Sequence, residues 1–264
     1  MVLRYGAEIL MIFKNNIFIK LYIGLNILLF SLFVESKEFN YKFHWSYIPV
    51  AKLSVKFNES SSQHNNTDLY NVEFQIFTQG PLKLFRDYSS EGSLKSNSSE
   101  SWDYNLYGHD RGELEEKSIR YFNNKAPVIK KFIDDAGVLP INIDPNMDKN
   151  AVDPFSVLFR TIEQLKSEQR CQNEYNVVDG KRRYKIIVEL INDIEDLEKD
   201  KNNKDIIFYC KFTFSELQEE KNKWPFNRKD RYLDIWFSSD LNYKPVRFFS
   251  KTPIGSIVGK YISK

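Results

Sequence analysis

Residues that usually carry catalysis or metal binding are scarce in this chain of 264 residues, which has three histidines and two cysteines. No histidines or cysteines stand at the spacing of a zinc site, and the Walker A, G-x-G-x-x-G and G-x-S-x-G patterns are missing. We therefore predict no cofactor, no metal and a protein that is not an enzyme. An enzyme with an unrecognised site is the less favoured alternative.

Two short patterns are candidate sites. His109 and Asp110 stand side by side in a glycine-flanked segment and could form an acid/base pair. Asp134 and Asp135 precede Ala136-Gly137 and could bind a cation. Because neither pattern has partners that the sequence identifies, we interpret both as turns and assign no catalytic or metal-binding residue.

An excess of charge of one sign is also missing, because 38 Lys and Arg stand against 36 Asp and Glu. Both signs are interspersed along the chain. A nucleic-acid-binding protein needs a basic patch or stripe. The sequence therefore excludes nucleic acid as an expected partner.

Long apolar runs are limited to one, the 14 residues from Leu21 to Val34, which follow Lys14 and Lys20. This order predicts a secretory signal peptide over residues 1–36, with a start at Met1 or Met11. An uncleaved inner-membrane anchor over residues 17–34 is the alternative, in which the lysine amine reaches the interface. With no cysteine at the boundary, we expect a periplasmic protein without a lipid anchor and a single domain over residues 37–264.

Cys171 and Cys210 are the two cysteines, and both follow the predicted signal. Disulfides persist in oxidising compartments, so an even pair in an exported chain favours a structural disulfide. Two free buried thiols are the alternative. Without a C-x-x-C pattern, the pair indicates neither a redox site nor a zinc site.

Aromatic residues are abundant at 15% of the chain, and apolar residues recur at every second position. The alternation predicts about a dozen strands between residues 39 and 262, with polar tips at 93–101 and 108–112. One helix is predicted over 154–168, with Asp153 as its N-cap and Pro154 at its first position. So many strands predict a strongly curved antiparallel sheet, or half-barrel, that packs against one main helix.

Short motifs in fixed order extend over nearly the whole of residues 37–264. They are Tyr41-x-Phe43-x-Trp45, Asp153-Pro154-Phe155-Ser156, Cys171 with Val178-Asp179-Gly180-Lys181-Arg182-Arg183-Tyr184, Cys210, Ile235-Trp236-Phe237, Lys244-Pro245-Val246 and Ile254-Gly255-Ser256. On these motifs the chain resembles the bacterial exported proteins called domain of unknown function 3108. It departs from them at Ala51-Lys52, where a small glycine is usual, and in the unusually charged loop from Glu219 to Arg231.

The resemblance implies an envelope protein with a curved antiparallel sheet, similar by analogy to periplasmic lipoprotein carriers. It brings no established activity and no catalytic residues. Together with the aromatic strands, it leads us to expect a non-enzymatic protein that binds a lipid or another apolar ligand. A structural or interaction module of the envelope is the alternative. The deciding feature is whether the helix fills the concave face or leaves it open.

Overall fold

The computed structural model describes residues 37–60, 69–98, 100–191, 207–216, 231–252 and 255–262. The predicted signal peptide or anchor, His64 and most of the loop from Glu219 to Arg231 lie outside these ranges. Residues 37–264 form one compact unit. Within the described ranges, no helix has both the length and the apolar character that crossing a bilayer requires.

Thirteen antiparallel strands form one sheet, and this confirms the predicted fold class. The strands are β1 Lys37–Trp45, β2 Ile48–Ser60, β3 Leu69–Thr78, β4 Tyr88–Ser98, β5 Ser101–Asp110, β6 Glu113–Phe122, β7 Val128–Asp134, β8 Asn173–Val178, β9 Arg183–Leu190, β10 Ile207–Glu216, β11 Arg231–Ser238, β12 Lys244–Thr252 and β13 Gly255–Ile262. Their order in the sheet is β7-β6-β5-β4-β3-β2-β1-β13-β12-β11-β10-β9-β8. Two meanders are thus joined by the pairing of β1 with β13, while β7 and β8 are the sheet edges.

Within the described residues, two helices accompany the sheet. The short helix α1, Leu82–Phe85, was not predicted from the sequence. The main helix α2, Pro154–Glu168, has the predicted bounds. Asp153 caps it by accepting a hydrogen bond from the Ser156 backbone N–H at 2.8 Å, as predicted.

Glycines opposite aromatic residues let the sheet curl tightly around its core. Phe74 is paired with Gly92 across β3 and β4, and Phe43 is paired with Gly259 across β1 and β13. A Cβ atom on Gly259 would lie 2.5 Å from Cε1 of Phe43, so the ring occupies the space of the absent side chain. The strongly curved inner face can therefore accommodate large aromatic rings.

The two sheet edges meet along a seam without a ladder between β7 and β8 in the described part of the sheet. Residues 139–152, here called the strap, bridge this seam. The Ile141 N–H donates to the Gly180 carbonyl at 3.0 Å, and Val152 forms a parallel bridge with Val177. A buried ion pair between Asp148 of the strap and Arg183 of β9 fixes the strap, with N–O distances of 2.5 and 2.7 Å.

The predicted polar tips are shorter than expected. β4 runs to Ser98 and β5 starts at Ser101, so most of the segment 93–101 is strand. His109 likewise belongs to β5, and the turn after it is confined to Arg111 and Gly112. A strand with one solvated face can carry serines and other polar residues. Turns predicted from polar composition alone were therefore placed too early and made too long.

Candidate ligand-binding site

Helix α2 covers one end of the concave face, here called the closed end. Phe155 stacks on Phe74 with ring centroids 3.9 Å apart, and Phe159 meets Phe57 edge-on at 5.5 Å. Ile162 and Leu165 of the same helix face are buried. This apolar face supplies the core of the closed end.

The start of α2 is fixed to the sheet through Asp153. Its buried carboxylate accepts hydrogen bonds from the Trp102 indole N–H at 2.8 Å and from the hydroxyl and backbone N–H of Ser156. Burial raises the pKa of Asp153, although the bonds from Ser156 and Trp102 act against that shift. The Asp-Pro-Phe-Ser motif is therefore a structural anchor.

The end of α2 is fixed by the disulfide between Cys171 and Cys210, which the sequence predicted. Cys171 follows the helix, and Cys210 lies on β10, two strands away from β8. Both residues are fully buried, and their Cα atoms are 6.1 Å apart. The disulfide thus holds α2 against the second meander.

The opposite end of the concave face, here called the open end, is less covered. Along β1, the inward-facing residues Phe39 and Tyr41 are buried but Phe43 is half-buried. On β2, β3, β10 and β11, too, one inward-facing apolar residue near this end is only half-buried. The half-buried apolar residues there, here called the mouth, are Phe43, Leu53, Ile76, Phe214 and Leu233.

A cluster of charged residues lies where the seam reaches the open end. Lys117 of β6 contacts Glu115 at 2.7 Å, and Lys181 of the β8–β9 turn contacts Glu115 at 3.1 Å. Lys181 also bonds to Asp134, the last residue of β7. These four residues, here called the seam cluster, connect the two sheet edges through side chains. The Tyr121 hydroxyl adds a 2.6 Å hydrogen bond to the Val178 carbonyl across the same seam.

Ion pairing overcomes desolvation in the seam cluster. Burial by itself raises the pKa of Glu115, but Lys117 and Lys181 outweigh it and the pKa is lowered. Burial lowers the pKa of Lys181, but its bonds to Asp134 and Glu115 outweigh that effect and the pKa is raised. Glu115 and Lys181 are therefore held in their charged forms.

A water-accessible cleft of about 430 Å³ opens above the seam cluster. One wall carries Arg86, whose guanidinium binds the Asp110 carboxylate at 3.1 and 2.8 Å. The exposed Arg111 and Glu113 stand at its rim. The open end thus combines an apolar mouth with a charged cleft, an arrangement suited to an amphiphilic molecule.

His109 and Asp110 do not form a pair. They are consecutive on β5 and point to opposite faces. His109 lies on the outer face against Tyr107, and Asp110 binds Arg86. His44 is on β1, four strands away, a distance of about 19 Å at ordinary strand spacing.

Asp134 and Asp135 end β7 in a turn, as the favoured interpretation predicted. The Asp134 carboxylate accepts from the Ala136 N–H at 3.0 Å, and the Asp135 N–H donates to the Leu114 carbonyl. Among the described residues, no group of three or more His, Cys, Asp or Glu side chains could hold a metal ion.

The seam cluster was not predicted from the sequence. Along β6, Glu115 and Lys117 alternate in phase with the buried residues Ile119 and Tyr121, so the same alternation that places those two inside also places the charges inside. This alternation along β6 was the signal in the sequence that could have identified the buried charges. The partner Lys181 was noted only within the motif Val178–Tyr184 that carries the family resemblance, and no contact was predicted for it.

The comparisons with known proteins concern family and fold. The family model described as protein of unknown function (DUF3108) matches residues 40–261. A similar solved structure is that of a beta-barrel-like protein of domain of unknown function DUF1849 from Brucella abortus, with 13% identity and a TM-score of 0.52. The similarity covers 86% of this chain and 95% of that chain, and at this identity it concerns the fold alone. A comparison with curated proteins found no match.

Proposed function

The chain belongs to the DUF3108 family, whose function is unknown, and we propose that it is a non-enzymatic binding protein of the bacterial periplasm that holds a lipid or another apolar ligand. The ligand's apolar part enters the mouth at the open end of the curved sheet. Helix α2 closes the other end and limits how deep the ligand reaches.

The supporting observation is the loss of burial along the inner face. On β10, Phe212 is buried and Phe214 is half-buried, and on β11, Ile235 is buried and Leu233 is half-buried. Side chains that point into the concave face are normally the most protected in such a sheet. Partly exposed rings and aliphatic groups there form a surface that an apolar ligand would cover.

The energetics favour an apolar group at this position. Each 100 Å² of apolar surface removed from water contributes about 2.5 kcal/mol. The seam cluster and the cleft lie at the same end of the sheet as the mouth, so a polar group on the same molecule would stay in water while its chain is buried. These features favour an amphiphile over a wholly apolar compound.

The proposed location has support of its own. The signal peptide predicted over residues 1–36 directs export. The disulfide between Cys171 and Cys210 supports this location, because disulfides are typical of oxidising compartments such as the periplasm.

Neighbouring residues on opposite faces of β3 provide the test. Ile76 faces the mouth, and Phe77 faces outward with 39% of its surface exposed. We expect Ile76→Lys to weaken binding of the fluorescent fatty acid cis-parinaric acid at least tenfold, because the charge would have to be desolvated. Phe77→Lys should leave binding unchanged, and thermal unfolding checks that both variants fold.

Native mass spectrometry of gently purified full-length protein provides a second measurement. A co-purifying lipid that is lost in Ile76→Lys and retained in Phe77→Lys would support the proposal. Equal binding by both variants, or no binding of fatty acid by the wild-type chain, would overturn it. Capture of a stable envelope partner by cross-linking in place of a lipid would favour the alternative, a structural or interaction module.

A further inference from the structure

Exposed apolar residues project from the rim of the open end. Tyr47, at the β1–β2 turn, is 96% exposed, and Leu84 of α1 is 87% exposed. The neighbouring residues Ile48, Pro49 and Pro81 are exposed as well. These five residues are here called the rim patch.

The two segments of the rim patch are held together by the backbone. The Gln79 N–H donates to the Val50 carbonyl at 2.9 Å. Gly80, with φ of +60°, lies so close to Pro49 that a Cβ atom would be 2.5 Å from the Pro49 carbonyl oxygen. The Thr78 hydroxyl closes the loop by donating to the Arg86 carbonyl at 2.9 Å. The patch is therefore part of the fold and does not depend on a partner to form.

The two cations in the segments of the rim patch are each paired with a carboxylate that lies just outside those segments. Residues 46–50 and 79–86 contain Lys83 and Arg86 and no carboxylate. Arg86 is engaged by Asp110. Lys83 lies 3.8 Å from Asp87, and the two side chains are 60% and 58% exposed. An ion pair this exposed is weak, because water competes for both charges. Its ammonium group therefore remains available to an anion outside the protein.

We infer that the rim patch docks the open end onto a bilayer that contains anionic lipid. Tyrosine at the tip of a turn suits the interface between headgroups and acyl chains, because its ring is apolar and its hydroxyl stays wet. Leu84 enters the same layer, and Lys83 meets the headgroup phosphates. The inference rests on the proposed function, because docking in this orientation brings the mouth to the source of an apolar ligand.

Hydrogen exchange of the full-length protein tests this docking locally. Vesicles of phosphatidylcholine with 30% phosphatidylglycerol, about one anionic lipid in three, give a surface attractive to Lys83. We expect these vesicles to slow amide exchange severalfold in segments 46–50 and 79–86. The turn at 123–127, at the closed end of the sheet, should be unaffected. Because exchange is measured segment by segment, protection of the rim patch is distinguished from vesicle binding by the N-terminal segment, which is present in every variant.

The double variant Tyr47→Ser, Leu84→Ser should lose the protection, whereas Val128→Ser, at an exposed apolar residue near the closed end, should keep it. Lys83→Gln should lose only the preference for anionic over neutral vesicles. Protection that is absent from the wild-type rim, or equal in the double variant, would overturn the inference. Binding of cis-parinaric acid without vesicles reports on the mouth alone, so failure of the docking and failure of the proposed function are distinguishable.

Discussion

The ring of Phe74 occupies the position where a side chain on Gly92 would stand. The two residues are directly paired across β3 and β4. A Cβ atom on Gly92 would lie 2.2 Å from Cζ of Phe74 and 2.7 Å from the Asn105 carbonyl oxygen. Phe74 also stacks on Phe155 of helix α2. The close contact between Gly92 and Phe74 therefore helps to set where the helix packs on the sheet.

Gly92→Ala should therefore destabilise the protein by about 1–3 kcal/mol, because the added methyl group displaces Phe74 from α2. In an ordinary strand the same change would be neutral or favourable. Urea unfolding followed by Trp fluorescence measures the difference. Glu91→Ala, one residue earlier on the exposed face, should change stability by less than about 0.5 kcal/mol. A Gly92→Ala variant as stable as the wild-type protein would contradict the role given to this contact.

Glu115→Gln should lower the free energy of unfolding by about 3 kcal/mol at pH 7, because it leaves Lys117 buried without its partner. Although burial opposes the shift, Lys117 and Lys181 hold the pKa of Glu115 below its ordinary value of 4.5. The stabilisation is thus complete above about pH 4.5 and is lost as the pH falls through the folded-state pKa.

The difference between wild-type protein and Glu115→Gln should accordingly shrink below about pH 4, and urea titrations at several pH values measure it. Glu116→Gln is the matched control, since Glu116 pairs with the half-exposed Lys131 on the outer face. It should cost less than about 1 kcal/mol at every pH. A constant difference for Glu115→Gln across this range would show that its ionisation does not stabilise the seam.

Asp153→Ala should lower the free energy of unfolding by about 2–4 kcal/mol, because α2 loses its N-cap and the Trp102 N–H loses its buried acceptor. Asp153→Asn should cost less, since its amide oxygen can still accept from Ser156. Chemical denaturation gives the values. Similar costs for both variants would show that the negative charge, and not the acceptor, matters at this position.

Replacing Cys171 and Cys210 together by serine should lower stability by about 4 kcal/mol, the chain-entropy value for a closed loop of this length. The two residues are 39 positions apart and fully buried. Folded wild-type protein should also resist alkylation after brief treatment with dithiothreitol, and mass spectrometry measures the extent. Rapid alkylation of both thiols under native conditions would mean that the helix end opens readily.

Local signals in the sequence were sufficient for much of the fold. The alternation of apolar residues identified the strands, and Asp153-Pro154 marked the start of α2, because caps and pleats depend on near neighbours. The tips at Ser98 and at Arg111-Gly112 were misplaced. A solvated strand face tolerates the same polar residues as a turn, so composition does not distinguish the two.

The candidate site was predicted only in its apolar character. The gradient of burial from Tyr41 to Phe43 depends on where α2 rests, which no local pattern encodes. The seam cluster joins Glu115 to Lys181 across strands that are far apart in the sheet order. Such contacts arise from closure of the curved sheet, so a single sequence does not reveal them.

The pairing of β1 with β13 has a consequence for how the chain folds. Among the described strands, every other pair joins neighbours in sequence, whereas this one brings Asn40 opposite Ile262. Each meander can form from local hairpins, but joining them closes a loop that spans almost the whole domain. We expect this closure to be the slow step of folding, and a circular permutant that links the two ends and opens the strap should fold faster.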